Sequence, residues 1–532
     1  MIIASYFMIF MNIYIPNMGG TGLKLPSNIL CWSVIALIII LAGISLYSSS
    51  NALPHRTFRF FVLGGIFLSL PALYTSQLVL SGALVRIAGL WGGIALFWAL
   101  LQMKFNPWQK NFLLFSLMVS TLVQFSFALW QLKTQTYDNW MEYIPGTRPY
   151  GIFQQVNVLA SFLATGYAIA VSFSLISSRF LVKNFSRAAL VLLTMILVIL
   201  QSRIGYLGPA IILVLYCGIY YRQPGKIVII LALSLFGVIA GKLLLHDYSL
   251  THLVAQVDKE SSNSERINIL KATIEMIRQH PIIGWGYGHF EYVVARISWQ
   301  FFQHSYPIPV THAHNEFLFG WAEGGISAVI GMLAIAGGYL ILIKDKFPSS
   351  LQIWILTLPI TLHLMTEYPL YQSTTHWFTL ILLCRLCISE KEQKYNLPVN
   401  RKIKLLSFLI VITSSCVLLF LVSGFKTNQV LTDLERSGMR DFTPAEHLAN
   451  PWIQWDRYIY DYHIAMLMQF NANHNEKLLS NFSYWGTEYI KIHNDKNIYH
   501  TLMTIAHYQK NYQQEEQLYQ QQSLMVPIYK NH

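Results

Sequence analysis

Apolar runs of about 20 residues recur along most of this chain, the length a helix needs to cross a bilayer. Only 12% of its 532 residues are charged, against about 25% in soluble domains. The expected fold is therefore all-α, a polytopic membrane protein with about 13 transmembrane helices. The runs lie near 2–16, 29–48, 59–76, 83–101, 112–131, 156–177, 188–203, 205–221, 227–245, 314–343, 351–366, 373–388 and 405–424. Residues 1–16 lack a basic n-region and a small-residue cleavage site, so they read as a span and not as a signal peptide.

The formal charge of +12 is spread over short connecting loops, which speaks for membrane topology and against a nucleic-acid patch. Loops after even-numbered runs carry Arg56, Lys104 and Lys110, then Arg179, Lys183 and Arg187, Arg222 and Lys226, Lys344 and Lys346, and the stretch from Lys391 to Lys404. Short loops on the other side carry only Lys24, Lys133 and Arg148. Basic loops stay cytoplasmic, which puts the N-terminus inside and the C-terminus outside. The five cysteines lie in or beside apolar runs, so no disulfide framework or thiolate metal site is expected.

Three external regions remain. Residues 131–155 end in Arg148-Pro149-Tyr150-Gly151. Residues 246–313 form a large loop. There Ser262-Asn263-Ser264-Glu265 fits a capping box opening a helix, with Ile267, Leu270, Ile274 and Ile277 on one face and Pro281, Gly284, Gly286 and Gly288 ending it. Residues 425–532 form a polar tail with helical spacing at Trp455, Tyr458, Ile459, Tyr462 and Met466, and a second helix from Ile498 to Gln522. The expected division is a membrane domain, 1–424, followed by a helical C-terminal domain, 425–532.

Chemistry-bearing residues gather at the external ends. Thr311-His312-Ala313-His314-Asn315-Glu316 stands where the large loop re-enters the membrane. A zinc site needs about four ligands, and no Cys or third ligand is near, so no metal is expected. The imidazoles are either structural or, when neutral, able to take a proton from a hydroxyl; Glu316 is placed to orient one. Glu323 lies inside the bilayer and is expected to bond a neighbouring helix. Arg203 ends an apolar run, either snorkelling to headgroups or gripping a phosphate, for which guanidinium is the preferred two-point partner. Arg266 falls near the expected first turn of the loop helix, where the dipole disfavours a cation. That placement suggests an anionic ligand; an ion pair with Glu265 or Asp258 is the plainer alternative. Arg148 is either solvated or functional. Gln154, Gln155 and Asn157 open the sixth run, as helix glue worth ~0.6 kcal/mol or as partners for sugar hydroxyls. Glu367 and Tyr368, ahead of Pro369, occupy another external end, where a carboxylate steers an imidazole or a substrate.

At these residues the chain resembles the O-antigen ligase and polymerase superfamily, in its PglL-type protein O-oligosaccharyltransferase branch. The resemblance is carried by Arg148-Pro149-Tyr150-Gly151-Ile152-Phe153-Gln154-Gln155-Val156-Asn157-Val158-Leu159-Ala160, Ser202-Arg203-x-Gly205, His280-Pro281-Ile282-Ile283-Gly284-Trp285-Gly286, His312-x-His314-Asn315-Glu316 and Glu367-Tyr368-Pro369-Leu370. It implies transfer of an oligosaccharide from an undecaprenyl-diphosphate carrier, on the periplasmic face of a bacterial inner membrane, to Ser or Thr of a pilin-like protein. By the same resemblance Arg203 and Arg266 hold the diphosphate and His314 is the base. The expected substrate-contacting set is Arg148, Gln154, Gln155, Asn157, His312, Asn315, Glu316, Glu367 and Tyr368. No cofactor or metal is implied, because a diphosphate lipid is already a good leaving group. Gln155-Val156-Asn157-Val158 departs from the Gln-Pro-Asn-His of many relatives, which bears on sugar and acceptor preference. A ligase or polysaccharide polymerase is the alternative enzyme. A lipid-glycan flippase is the alternative without chemistry, and predicts charges along a midplane path and paired broken helices. Clustering at one face favours surface chemistry.

Overall fold

The structure is a computed structural model and describes residues 1–48, 51–52, 55–246, 259–306, 308–345, 347–389, 397–398 and 400–525. Lys346, Asp258, Lys391 and Lys394 of the basic stretch, and residues 247–258 and 307 of the large loop lie outside the described residues. Among the described residues nine helices are long and apolar enough to cross a membrane, with three shorter apolar helices beside them. The chain is thus an all-helical polytopic membrane protein. The helices that position the candidate site are α1 (Leu80–Leu101), α2 (Val156–Ile176), α3 (Phe180–Ile199), α4 (Arg203–Ile219), α5 (Pro224–His246), α6 (Lys259–Gln279), α7 (Phe290–Phe302), α8 (Glu316–Ile341), α9 (Leu358–Leu364) and α10 (Thr374–Cys387). The tail adds α11 (Trp455–Asn473), α12 (Glu476–Tyr489), α13 (Lys496–Tyr508) and α14 (Tyr512–Met525). The run expected to cross as one span near 351–366 is instead two short helices, Ser349–Ile355 and α9. Pro359 in the first turn of α9 explains the break, because a prolyl ring has no N–H and clashes with the carbonyl four residues back.

Two compact units are formed, one from Met1–Arg59, Gly93–Val257 and Gly337–Phe425, the other from Phe60–Gly92, Asp258–Ala336 and Lys426–His532. In the first unit α2 is the most enclosed span, with 89% of its apolar window buried. It packs against α3, α4, α9 and the helix Pro107–Lys133. α5 lies close on α3 through Gly237 and Gly241. A Cβ at either would stand 2.6 Å from the carbonyl oxygen of Val191 or Met195. Small residues four apart let backbones approach where lipid supplies no hydrophobic drive.

The second unit is organised around a broken span. Gly325 interrupts α8 with φ 60° and ψ −153°, and the loop after α6 docks into the gap. Trp285 and Gly286 N–H donate to the carbonyls of Ala322 (3.0 Å) and Glu323 (2.8 Å), and Ile326 N–H donates to Ile282 O (2.9 Å). Irregular backbone at membrane depth is tolerated when protein groups satisfy it in this way. A Cβ on Gly325 would overlap the Ile282 carbonyl. Glu323 does bond a neighbouring helix: it lies 2.6 Å from Arg86 Nη1 on α1 and also accepts from the N–H of Gly288 (2.8 Å) and Phe290 (3.2 Å). α6 begins at Lys259 and not at Ser262. Arg266 therefore lies past the first turn, and the argument from the helix dipole does not apply to it.

In the tail, the helix expected from Ile498 to Gln522 is two, α13 and α14, divided where Lys510 takes φ 58°. Leu479, Phe482, Leu502, Ile505 and Leu518 form its core. Glu291 of α7 fastens the tail, accepting from Asn494 N–H at 2.8 Å and lying 3.1 Å from His493 Nδ1. His463 stacks on Trp485 (4.4 Å between centroids), and burial lowers its pKa from the ordinary 6.5. A depressed histidine binds fewer protons folded than unfolded, so its contribution is complete above pH 6.5 and declines as the pH falls below it. Amide protection factors in α11 and α12 of the full chain, corrected for the intrinsic exchange rate at each pH, should therefore fall between pH 7 and pH 5, and His463→Phe should weaken that dependence.

Candidate functional site

Two polar clusters stand at helix starts, one in each unit. In the first, Arg148-Pro149-Tyr150 leads into a tight turn, Gly151–Phe153, that is held from below. Gln131 Oε1 accepts from the N–H of Tyr150 (2.9 Å) and Gly151 (2.8 Å), and Gln124 Oε1 accepts from Ile152 N–H (3.0 Å). Gly151 at φ 56° is the one turn residue whose Cβ would run into Gln124. Gln154 follows in the left-handed region (φ 56°), and Gln155 caps α2 through Val158 N–H at 2.7 Å.

This turn brings four of the expected residues together. Asn157 Nδ2 donates to Glu367 Oε1 (2.6 Å), Gln155 Nε2 donates to Glu367 Oε2 (3.3 Å), and Ser202 Oγ donates to Asn157 Oδ1 (2.7 Å). Arg148 Nη1 donates to the carbonyl of Leu200 (3.1 Å). Burial lowers the Arg148 pKa, while the nearby Glu367 carboxylate and Tyr206 pull it back up. Arg203, half-buried, is the first residue of α4, directly after Ser202 and after Gln201 at φ 51°. Tyr368, half-buried, precedes the short helix Pro369–Gln372.

Behind Glu367 runs a buried chain that the sequence reading missed. His363 Nε2 lies 3.3 Å from Glu367 Oε2, its Nδ1 2.8 Å from Ser161 Oγ, Ser161 Oγ 3.0 Å from His376 Nε2, and His376 Nδ1 3.0 Å from Ser373 Oγ. Both histidines are buried on helices within apolar runs. The signal was available, since an ionisable residue inside a membrane run is a functional candidate by default, and His363 and Glu367 are one helical turn apart. Arg86 was overlooked for the same reason.

In the second unit, His312, His314, Asn315 and Glu316 form the turn that opens α8. Asn315 Oδ1 accepts from Leu318 N–H (3.0 Å), the N-cap bond that starts the helix. His312 is buried against Phe319 (4.3 Å between centroids). Its Nδ1 accepts the main-chain N–H of His314 at 2.9 Å, which leaves the proton on Nε2, 3.2 Å from Glu316 Oε2. His314 is half-buried at φ 55°, one of eight non-glycine residues in the left-handed region among the described residues. Arg266 stands on α6, half-buried. Among the described residues no group of three or more His, Cys, Asp or Glu is arranged to hold a metal ion.

Three family models match the chain. One described as O-antigen ligase matches residues 188–333, which hold Arg203, Arg266, His312 and His314. One for the C-terminal part of membrane-bound polymerase virulence factors matches residues 351–516, including Glu367 and most of the tail. One for protein glycosylation ligase matches residues 149–171, the turn and most of α2. No curated protein matches.

Proposed function

We propose that this chain, a protein of the O-antigen ligase superfamily with a protein glycosylation ligase segment, transfers an oligosaccharide en bloc from undecaprenyl diphosphate to a Ser or Thr hydroxyl of a pilin-like protein. The acceptor oxygen attacks the anomeric carbon as the bond to the diphosphate breaks, and the bonding pair leaves with the diphosphate. His314 takes the hydroxyl proton, and a single displacement inverts the carbon. The observation that carries the choice of base is the tautomer of His312. Both its ring nitrogens are engaged within their own turn, which makes it a positioning residue and favours His314.

Arg203 and Arg266 hold the diphosphate, where negative charge grows in the transition state. Arg148, Gln154, Gln155, Asn157, Glu367 and Tyr368, with His312, Asn315 and Glu316, orient the substrates. The basic-loop asymmetry supports a periplasmic site and tail on a bacterial inner membrane, with the tail, 425–532, docking the acceptor protein. No cofactor is required. Glycan ligation to lipid A core, or polymerisation, is the second reading, favoured by the descriptions of two of the matching models; the acceptor separates the two.

Arg203→Lys and Arg266→Lys keep the charge and lose the planar two-point grip. Each is expected to lower transfer roughly 10- to 100-fold, the loss being largest in kcat because the grip tightens as the bond breaks. Initial rates against donor concentration check this. Wild-type rates in both variants would remove the two arginines from the mechanism.

A further inference from the structure

A cavity of about 790 Å³ lies between α7 and the tail helices, within the second unit. Its volume is in the range of roughly 300–1,000 Å³ that takes small ligands. Two helical faces line it. From α7 come Tyr292, Arg296 and Trp299, at the spacing that stacks side chains along one face. From α14 come Gln514, Gln517 and Gln521 on one face, while Leu518 turns into the tail core. Lys491 also lines it, with its ammonium bonded to the Glu488 carboxylate.

That combination has a specific chemistry. An amide offers two donors and an acceptor in one plane, which suits neighbouring hydroxyls whose donor and acceptor roles alternate. Aromatic faces give flat apolar platforms with little rotamer entropy to lose, which suits the C–H face of a sugar ring. Lys491 is bonded to Glu488, so Arg296 is the lining cation that favours a negatively charged ligand. The Glu291 bonds to Asn494 fix α7 against the tail, so the two faces are held in register.

We propose that this cavity binds an acidic oligosaccharide. Trp299 and Tyr292 stack against sugar rings, Gln514, Gln517 and Gln521 bond hydroxyls, and Arg296 meets a carboxylate or phosphate. It depends on the proposed function only for the source of the glycan, because binding is read without any transfer.

The test uses the full chain in detergent micelles, titrated with tetragalacturonate, neutral N-acetylchitotetraose and a tetraglutamate peptide, and followed by tryptophan fluorescence and saturation-transfer NMR. Tetragalacturonate should bind saturably and more tightly than the neutral oligomer. Trp299→Ala should weaken it roughly tenfold, and so should the exposed-site variant Gln517→Ala. Arg296→Gln should remove the preference for the charged oligomer. His314→Ala should bind like wild type, so a failed transfer assay and a failed binding assay remain separate results. Binding of the peptide alone, no saturable binding of either oligosaccharide, or binding indifferent to Trp299 and Gln517 would each overturn the proposal.

Discussion

His314→Ala is expected to lower glycan transfer by roughly 10²- to 10⁴-fold, the contribution of a positioned general base, at unchanged abundance in the membrane. The physical reason lies in the turn before α8. His314 is held at φ 55°, Asn315 caps the helix immediately after it, and the His312 ring fixes the His314 main chain from the other side. A residue over-determined by its neighbours is the arrangement expected where a side chain must stay aimed. His312→Ala should therefore also reduce transfer, but through loosened positioning and by less than His314→Ala. Intact mass of the acceptor from cells carrying each variant measures both. Full activity in His314→Ala would remove the base from the scheme, and a larger loss in His312→Ala than in His314→Ala would reverse the assignment.

The largest stability effect is expected at Arg86. Glu323 is fully buried in α8, and Arg86 is the cation beside its carboxylate, at 2.6 Å. Taking away one partner of a buried pair strands a desolvated charge, at about 3–5 kcal/mol. Arg86→Met should accordingly destabilise the second unit by that order. Glu323→Gln should cost less, because an amide oxygen still accepts from the N–H of Gly288 and Phe290. The double variant should recover much of the loss, since no unpaired charge remains. Thermal unfolding in micelles and hydrogen exchange across α8 and the 282–290 loop give these values. Equal melting of Arg86→Met and wild type would mean that Glu323 is held by its backbone donors alone.

The architecture was legible because bilayer physics writes itself into sequence as long apolar runs; Asn157 and Glu367 were each singled out at helix ends, but their meeting was not foreseen. Three features were hidden. The break at Gly325 is invisible to hydropathy, since a single glycine leaves the run apolar; only the carbonyls it frees, taken up by the 282–288 loop, reveal it. The His363–Ser161–His376 chain draws on residues far apart in sequence, and periodicity within one helix cannot report which side chains meet across three. The start of α6 was misplaced because Ser262-Asn263-Ser264-Glu265 has the letters of a capping box, yet the helix already runs through it from Lys259. That error lent Arg266 a helix-dipole argument it does not have, so its assignment to the diphosphate rests on the resemblance and on the matched segment.

The central claim is that the acceptor is a protein hydroxyl. The most direct measurement combines the purified chain, an undecaprenyl-diphosphate-linked oligosaccharide and a pilin-like protein, and reads intact mass together with the anomeric configuration of the product. The account predicts a single glycan-sized increment on Ser or Thr with inverted configuration. Unmodified protein beside a glycosylated lipid A core, or beside a lengthened lipid-linked glycan, would contradict it.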